Sequence, residues 1–137
     1  MTDGAQILLG HATRSPRWDI PKGVMLPDEA PEQAAMRELK EETGLSVQPN
    51  ELVALGIHGY LPRKDLALFL WRRVPLPDPR TLHCASVFVI DDGRTLPEFD
   101  RFGLFDWEAA VTRVGRNMAR VLREVRGLRS GGLPAAP

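Results

Sequence analysis

The sequence predicts an α/β chain of the α+β kind, with helices packed on a mixed or largely antiparallel sheet. Three observations predict it. Strand-like and helix-like segments follow the order strand, helix, several strands, helix. That order lacks the regular βα alternation of a doubly wound parallel sheet. The chain has 137 residues and is 43% apolar, enough for one domain with its own core.

Each element has its own signal. The apolar run "AQILLGHA" reads as a first strand. "TRSPRWDIPKG" follows as a loop with an extended piece, because Pro16, Pro21 and Gly23 interrupt it. A helix is expected from Pro31, where the missing N–H costs nothing, to Gly44, a C-terminal stop. Ala35 and Leu39 are expected on its core side. "ELVALGIHGYL" and "DLALFLWRRV" read as two strands, and "PLPDPRT" as a proline-rich loop. "ASVFVI" is another strand, "DDGR" a turn and "RFGLF" a short last strand.

A second helix is expected over 108–126. Val114, Met118, Val121 and Val125 recur at helical spacing, with Arg113, Arg116, Arg120 and Arg123 on the opposite side. That stripe reads first as a solvated face, and second as a polyphosphate or RNA contact. The domain is expected over 1–128, with 129–137, rich in Gly, Pro and small residues, as a flexible tail.

The totals exclude several classes. Eighteen basic and 18 acidic residues cancel, which argues against a nucleic-acid coat or a membrane-surface protein. No apolar run approaches the roughly 18–20 residues that span a bilayer. The start lacks the basic and apolar regions of a signal peptide. Cys84 is the only cysteine, so a reducing cytoplasm is the simplest setting and buried packing its simplest role.

"RELKEETGL" carries the chemistry. Glu38, Glu41 and Glu42 share one helical stripe. Like charges at that spacing cost about 0.2–0.5 kcal/mol per pair. Carboxylates on one face suit magnesium, an oxygen-seeking ion typically shared between protein carboxylates and substrate phosphates.

From Gly23 the sequence reads "GVMLPDEAPEQAAMRELKEETGL". This 23-residue stretch resembles the signature of the Nudix hydrolase family at every fixed position. Weaker resemblance extends through "WDIPKG" before it and "LPEFDRFGLFDW" after it. The resemblance implies an α/β/α sandwich around a mixed sheet, with a loop–helix–loop built from the signature. It implies hydrolysis of a nucleoside diphosphate linked to another group, with Mg2+ or Mn2+ as cofactor. Glu41 and Glu42 resemble metal ligands, and Glu38 a further ligand or the base. Arg37 would hold the acidic cluster. Glu29 would buttress the loop, Gly23 would let the backbone pass close to the metal, and Gly44 would end the helix. In some family members the base lies outside the signature, and Glu98 in "LPEFD" is the outside candidate. Sequence leaves the base open.

"WDIPKG" resembles the dinucleoside polyphosphate hydrolases and nucleotide-sanitising enzymes. Lys22 would then sit near the phosphates, and Arg14 and Arg17 read first as ordinary loop solubility and second as reaching an extended polyphosphate. Tyr60 matches a base-stacking tyrosine of diadenosine polyphosphate hydrolases, or finishes a strand in the core. Trp18 and Trp71 read as core or cleft wall. The substrate expectation is a dinucleoside polyphosphate. Alternatives are a nucleoside triphosphate, ADP-ribose, the 5′ end of RNA, or a non-catalytic nucleotide sensor. An isomerase on the same fold would need a catalytic cysteine and more clustered histidines. DNA and membrane partners are not expected, and the chain is expected as monomer or homodimer.

Two departures from the family pattern stand out. Ala30 has no hydroxyl to cap the helix, so Asp28 or Glu29 is the expected substitute. Family members commonly have a strand before the first one placed here, whereas only Met1 to Ala5 precede it. Either that strand is absent, leaving a sheet edge exposed through which the chain could dimerise, or the sequence begins late.

Overall fold

A computed structural model describes residues 1–130. Its elements run β1 (Gln6–Ala12), β2 (Trp18–Asp19), α1 (Pro31–Thr43), β3 (Leu52–Leu61), β4 (Lys64–Trp71), β5 (Val87–Val89), β6 (Thr95–Pro97), β7 (Phe99–Asp106), α2 (Trp107–Arg113) and α3 (Arg116–Ser130). The fold is α+β. The strands form three antiparallel sheets, β2-β1-β7, β3-β4 and β5-β6.

β1 is the central strand. Ile7, Leu8, Leu9, Gly10 and His11 are all buried, so both of its faces are covered. Ile7 and Leu9 join Leu55, Leu68, Met118, Val121 and Val125 in the main core. Gly10 has no room for a Cβ, because the Phe99 ring lies against it. β1 pairs along its whole length with β7, from Gln6 opposite Asp106 to Ala12 opposite Phe99.

The residues before β1 form isolated bridges rather than a strand. Thr2 bridges Ile7 on one side and Arg72, in parallel, on the other. Its N–H donates to the Trp71 carbonyl, and its carbonyl accepts from Arg73, both at 3.0 Å. Thr2 thus stitches the β1 sheet to the β3–β4 hairpin.

The helix expected as one piece over 108–126 is two. α2 is capped by Asp106, whose carboxylate accepts from Ala109 N–H at 2.8 Å, and it stops at Val114. Gly115 follows, and its carbonyl starts α3 by accepting from Ala119 N–H. The apolar period survives the break because Val114, Met118, Val121 and Val125 are all buried in one core. α3 continues to Ser130, so the tail expected over 129–137 begins in helix, and its residues 131–137 lie outside the described residues. β6 is a short strand that carries no clear signal in the sequence. No described helix is long and apolar enough to cross a membrane.

Candidate active site

α1 begins at Pro31 and ends at Gly44, which takes the left-handed conformation with φ 82°. Neither Asp28 nor Glu29 caps it. Ala30 is the N-cap and offers no side-chain hydrogen bond. Gln33 instead reaches back to accept from the Ala30 N–H at 3.0 Å. Glu29 is occupied elsewhere, accepting from Leu26 N–H and from Arg37. Ala34, rather than Ala35 or Leu39, is the buried apolar residue of this helix. Ala35 and Leu39 line a cleft.

Arg37 organises the acidic loop and helix. Its Nε donates to Glu29 Oε2 at 2.8 Å, and Nη2 donates to Glu29 Oε1 at 2.9 Å. Nη2 also donates to the Val24 carbonyl at 3.1 Å. Nη1 donates to Glu38 at 2.8 Å and to Glu41 at 3.2 Å. These are charge-assisted bonds in the fork geometry that only guanidinium presents. The hydrogen bonds from Arg37, then that from Leu26 N–H, pull the Glu29 carboxyl down to about 2. Gly23 runs directly over Glu38, and a Cβ there would overlap that carboxylate. The close passage therefore requires glycine.

Glu42 differs from its neighbours. It is only 2% exposed. It accepts from the Lys22 N–H at 2.8 Å, the one bond that favours its charge. Burial, the Glu38 charge, and the hydrogen-bonded Glu98 carboxyl push its pKa up to about 9. Glu98 comes from the turn between β6 and β7. Its backbone ties it in place, N–H to the Ser86 carbonyl and carbonyl to the Thr13 N–H. Glu42, Glu98, Lys22, Asp19 and Thr13 line one small cavity of about 280 Å³.

A larger cleft of about 720 Å³ opens between α1, the loop at Gly23 and the β3–β4 hairpin. Glu38 is on its wall, with Met25, Leu39, Tyr60 and Leu66. Lys22 lines both cavities, and its Nζ lies 5.7 Å from the Tyr60 ring centre and 3.3 Å from Asp19. Tyr60 therefore stands on the cleft wall and also packs against the main core, the two places that sequence left open for it.

Arg14 and Arg17 are not brought to these cavities. Neither lines them, and Arg17 packs beside Gly115 at the α2–α3 break. Of the loop before β2, Thr13 borders the carboxylate cavity, whereas the Arg17 side chain lies on the side of Gly115. Trp71 is buried, whereas Trp18 lies edge-on between His11 and Phe105. Cys84 is buried, and its thiol donates to the Ser86 carbonyl at 3.3 Å. Among the described residues, no three His, Cys, Asp or Glu side chains already close on one point as metal ligands.

The donor chemistry nevertheless fits a hard divalent cation. Glu38, Glu41, Glu42 and Glu98 offer only carboxylate oxygens. Glu42 is buried against two of the others, which favours its neutral form and makes a neighbouring positive charge the condition that favours its ionised form.

The α+β fold thus carries a glycine-floored loop and an arginine-clasped glutamate helix. A family model described as the NUDIX domain matches residues 1–124, and the chain belongs to that family. An RNA pyrophosphohydrolase of Marinomonas sp. (strain MWYL1) is 31% identical over 109 residues, 73% of this chain and 66% of that relative. An RNA pyrophosphohydrolase of Hahella chejuensis (strain KCTC 2396) is 50% identical over 44 residues, 32% of this chain and 27% of that relative. The chain thus spans no more than about two thirds of the length of these curated relatives. Two solved structures share the fold at 23% identity. One is a C. elegans Ap4A hydrolase binary complex, with TM-score 0.60, covering 93% of this chain and 89% of that one. The other is the E. coli ORF135 protein, with TM-score 0.59, covering 96% and 86%.

Proposed function

We propose that this chain is a divalent-metal-dependent pyrophosphohydrolase. Its substrate class is a nucleoside diphosphate linked to another group. The observation that carries the reading is Glu42, a buried carboxyl pressed against Glu98 and near Glu38. A carboxyl so desolvated and so close to like charge is destabilising unless its charge is put to use.

Glu38, Glu41 and Glu42 would hold magnesium or manganese, which supplies phosphate charge neutralisation and a more acidic bound water. Arg37 fixes the Glu38 and Glu41 carboxylates. The Lys22 N–H fixes Glu42. Glu98 is exposed and outside the Arg37 clasp, so it is the group assigned to take a proton from the attacking water. Lys22 Nζ would meet substrate phosphate, and Tyr60 would give one face to a base. The setting inferred is the cytoplasm, supported by the single unpaired Cys84.

The substrate favoured is a dinucleoside polyphosphate, because Tyr60 and Lys22 stand together on the cleft wall. The second reading is the triphosphate 5′ end of RNA, favoured by the relatives' named activity. A magnesium-dependent panel separates them. It would contain diadenosine polyphosphates, nucleoside triphosphates, ADP-ribose and triphosphate-ended RNA, with product identification. Turnover lost in Glu41→Gln and Glu42→Gln, with the fold intact, is the expected result. Wild-type rates in both variants would overturn the metal assignment. Nucleotide binding without turnover would make the chain a sensor.

A further inference from the structure

The arginine stripe over the last two helices holds one member with a specific task. Arg120 Nη2 donates to the Gly59 carbonyl at 2.7 Å and to the Tyr60 carbonyl at 3.4 Å. Arg120 Nη1 donates to Glu124 at 3.1 Å. Glu124 also meets His58 Nδ1 at 3.2 Å, and His58 Nε2 meets the Leu55 carbonyl at 2.8 Å. Three residues thus join α3 to one stretch of β3.

That stretch is irregular. Gly59 pairs with Asp65 and Leu61 with Lys64, so Tyr60 is an extra residue in β3. A second irregularity lies between Ala54 and Ile57, where Gly56 has φ 88°. Bulges re-aim side chains and leave backbone groups outside the ladder. The hairpin belongs to a sheet of its own, and the Thr2 bridges tie it to β1 at its Trp71 end, opposite the end that carries Tyr60. The contacts from Arg120 fall at the bulge that carries Tyr60.

We propose that Arg120, steadied by Glu124 and His58, is a positioning residue that holds the Tyr60 bulge against the cleft and so sets substrate affinity. This rests on the proposed nucleotide-hydrolase reading, with Tyr60 as a substrate contact. Arg120 touches no substrate itself. Its effect passes through the Gly59 and Tyr60 carbonyls to the Tyr60 ring, which faces Lys22.

The test compares steady-state kinetics of Arg120→Ala, Arg120→Lys, Tyr60→Leu and the Arg120→Ala/Tyr60→Leu double variant. The substrate is whichever panel nucleotide the wild type cleaves fastest. Arg120→Ala is expected to raise KM about tenfold with kcat within about twofold, the effect of losing a charged hydrogen bond. Arg120→Lys should recover part of the loss, since an ammonium still reaches the Gly59 carbonyl. In the Tyr60→Leu background the Arg120→Ala step should add less than about twofold, because the two act in series. Hydrogen exchange at residues 59–61 should quicken in Arg120→Ala. Wild-type KM in Arg120→Ala, or full additivity in the double variant, overturns the proposal. Unchanged exchange at 59–61 overturns it as well. A wild type inactive on every panel nucleotide is a failure of the functional reading itself. That failure is seen before any variant is compared.

Discussion

Replacing Glu42 with Gln is expected to make the metal-free protein more stable while removing its activity. The folded carboxyl keeps its proton up to about pH 9, whereas the unfolded one releases it near 4.5. A raised folded pKa means that this group's contribution is complete below about pH 4.5 and is lost as pH climbs through about 9. Each pH step in that window costs about 1.4 kcal/mol, so the ceiling at pH 8 is about 5 kcal/mol. Side-chain relaxation and water at the exposed Glu98 lower this, and about 2 kcal/mol is the expected gain for the neutral isostere. The glutamine amide would still accept from Lys22 N–H and could donate to Glu98. The assay is thermal unfolding with chelator present, wild type against E42Q, at pH 5 and pH 8. The variant should melt about 6–8 °C higher at pH 8 and within about 2 °C at pH 5. Magnesium should raise the wild-type midpoint and leave the variant nearly unchanged. A variant that melts below wild type at pH 8, or by the same margin at both pH values, would refute the reasoning.

Three further outcomes follow from the geometry. Arg37→Lys replaces a fork bonded to Glu29, Glu38, Glu41 and Val24 with a point charge, and should cost at least about 2 kcal/mol in urea unfolding; an unchanged midpoint would contradict this. Gly23→Ala pushes a methyl group into the Glu38 carboxylate, so kcat/KM should fall at least about tenfold, and near-normal kinetics would show that the loop yields without disturbing the site. Ala30→Ser supplies the missing cap at an extended N-cap residue, and should add about 0.5–2 kcal/mol to stability by thermal unfolding. No gain would mean that Gln33 already satisfies that end.

What sequence could and could not reveal follows from the range of the forces involved. α1 was legible at both ends because Pro31 and Gly44 act locally. The glutamate set was legible because helical spacing alone puts its members together. Glu98 was reachable only as a candidate, since 56 residues separate it from Glu42 and only the fold brings them into contact. The break at Gly115 was hidden by an apolar period that runs straight through it into one core. The two irregularities in β3 depend on its register with β4, which no single-strand pattern encodes. Arg120 read as one more solvated arginine because its partners lie about 60 residues earlier in the chain. Arg14 and Arg17 were candidates by charge, and charge does not say which side chains of a loop face the cavity that the loop borders.

All three nitrogens of the Arg37 guanidinium are committed to the protein. The arginine at the heart of the carboxylates therefore has no donor left for an incoming phosphate. Glu29, Glu38 and Glu41 surround it, so bare polyphosphate would meet a field of its own sign. The species suited to enter is the chelate, in which cation and phosphate chain arrive already neutralised together. The cleft would then respond to the ratio of free cation to nucleotide rather than to either concentration alone, and surplus uncomplexed nucleotide, by sequestering the ion, would starve the very reaction it was meant to feed.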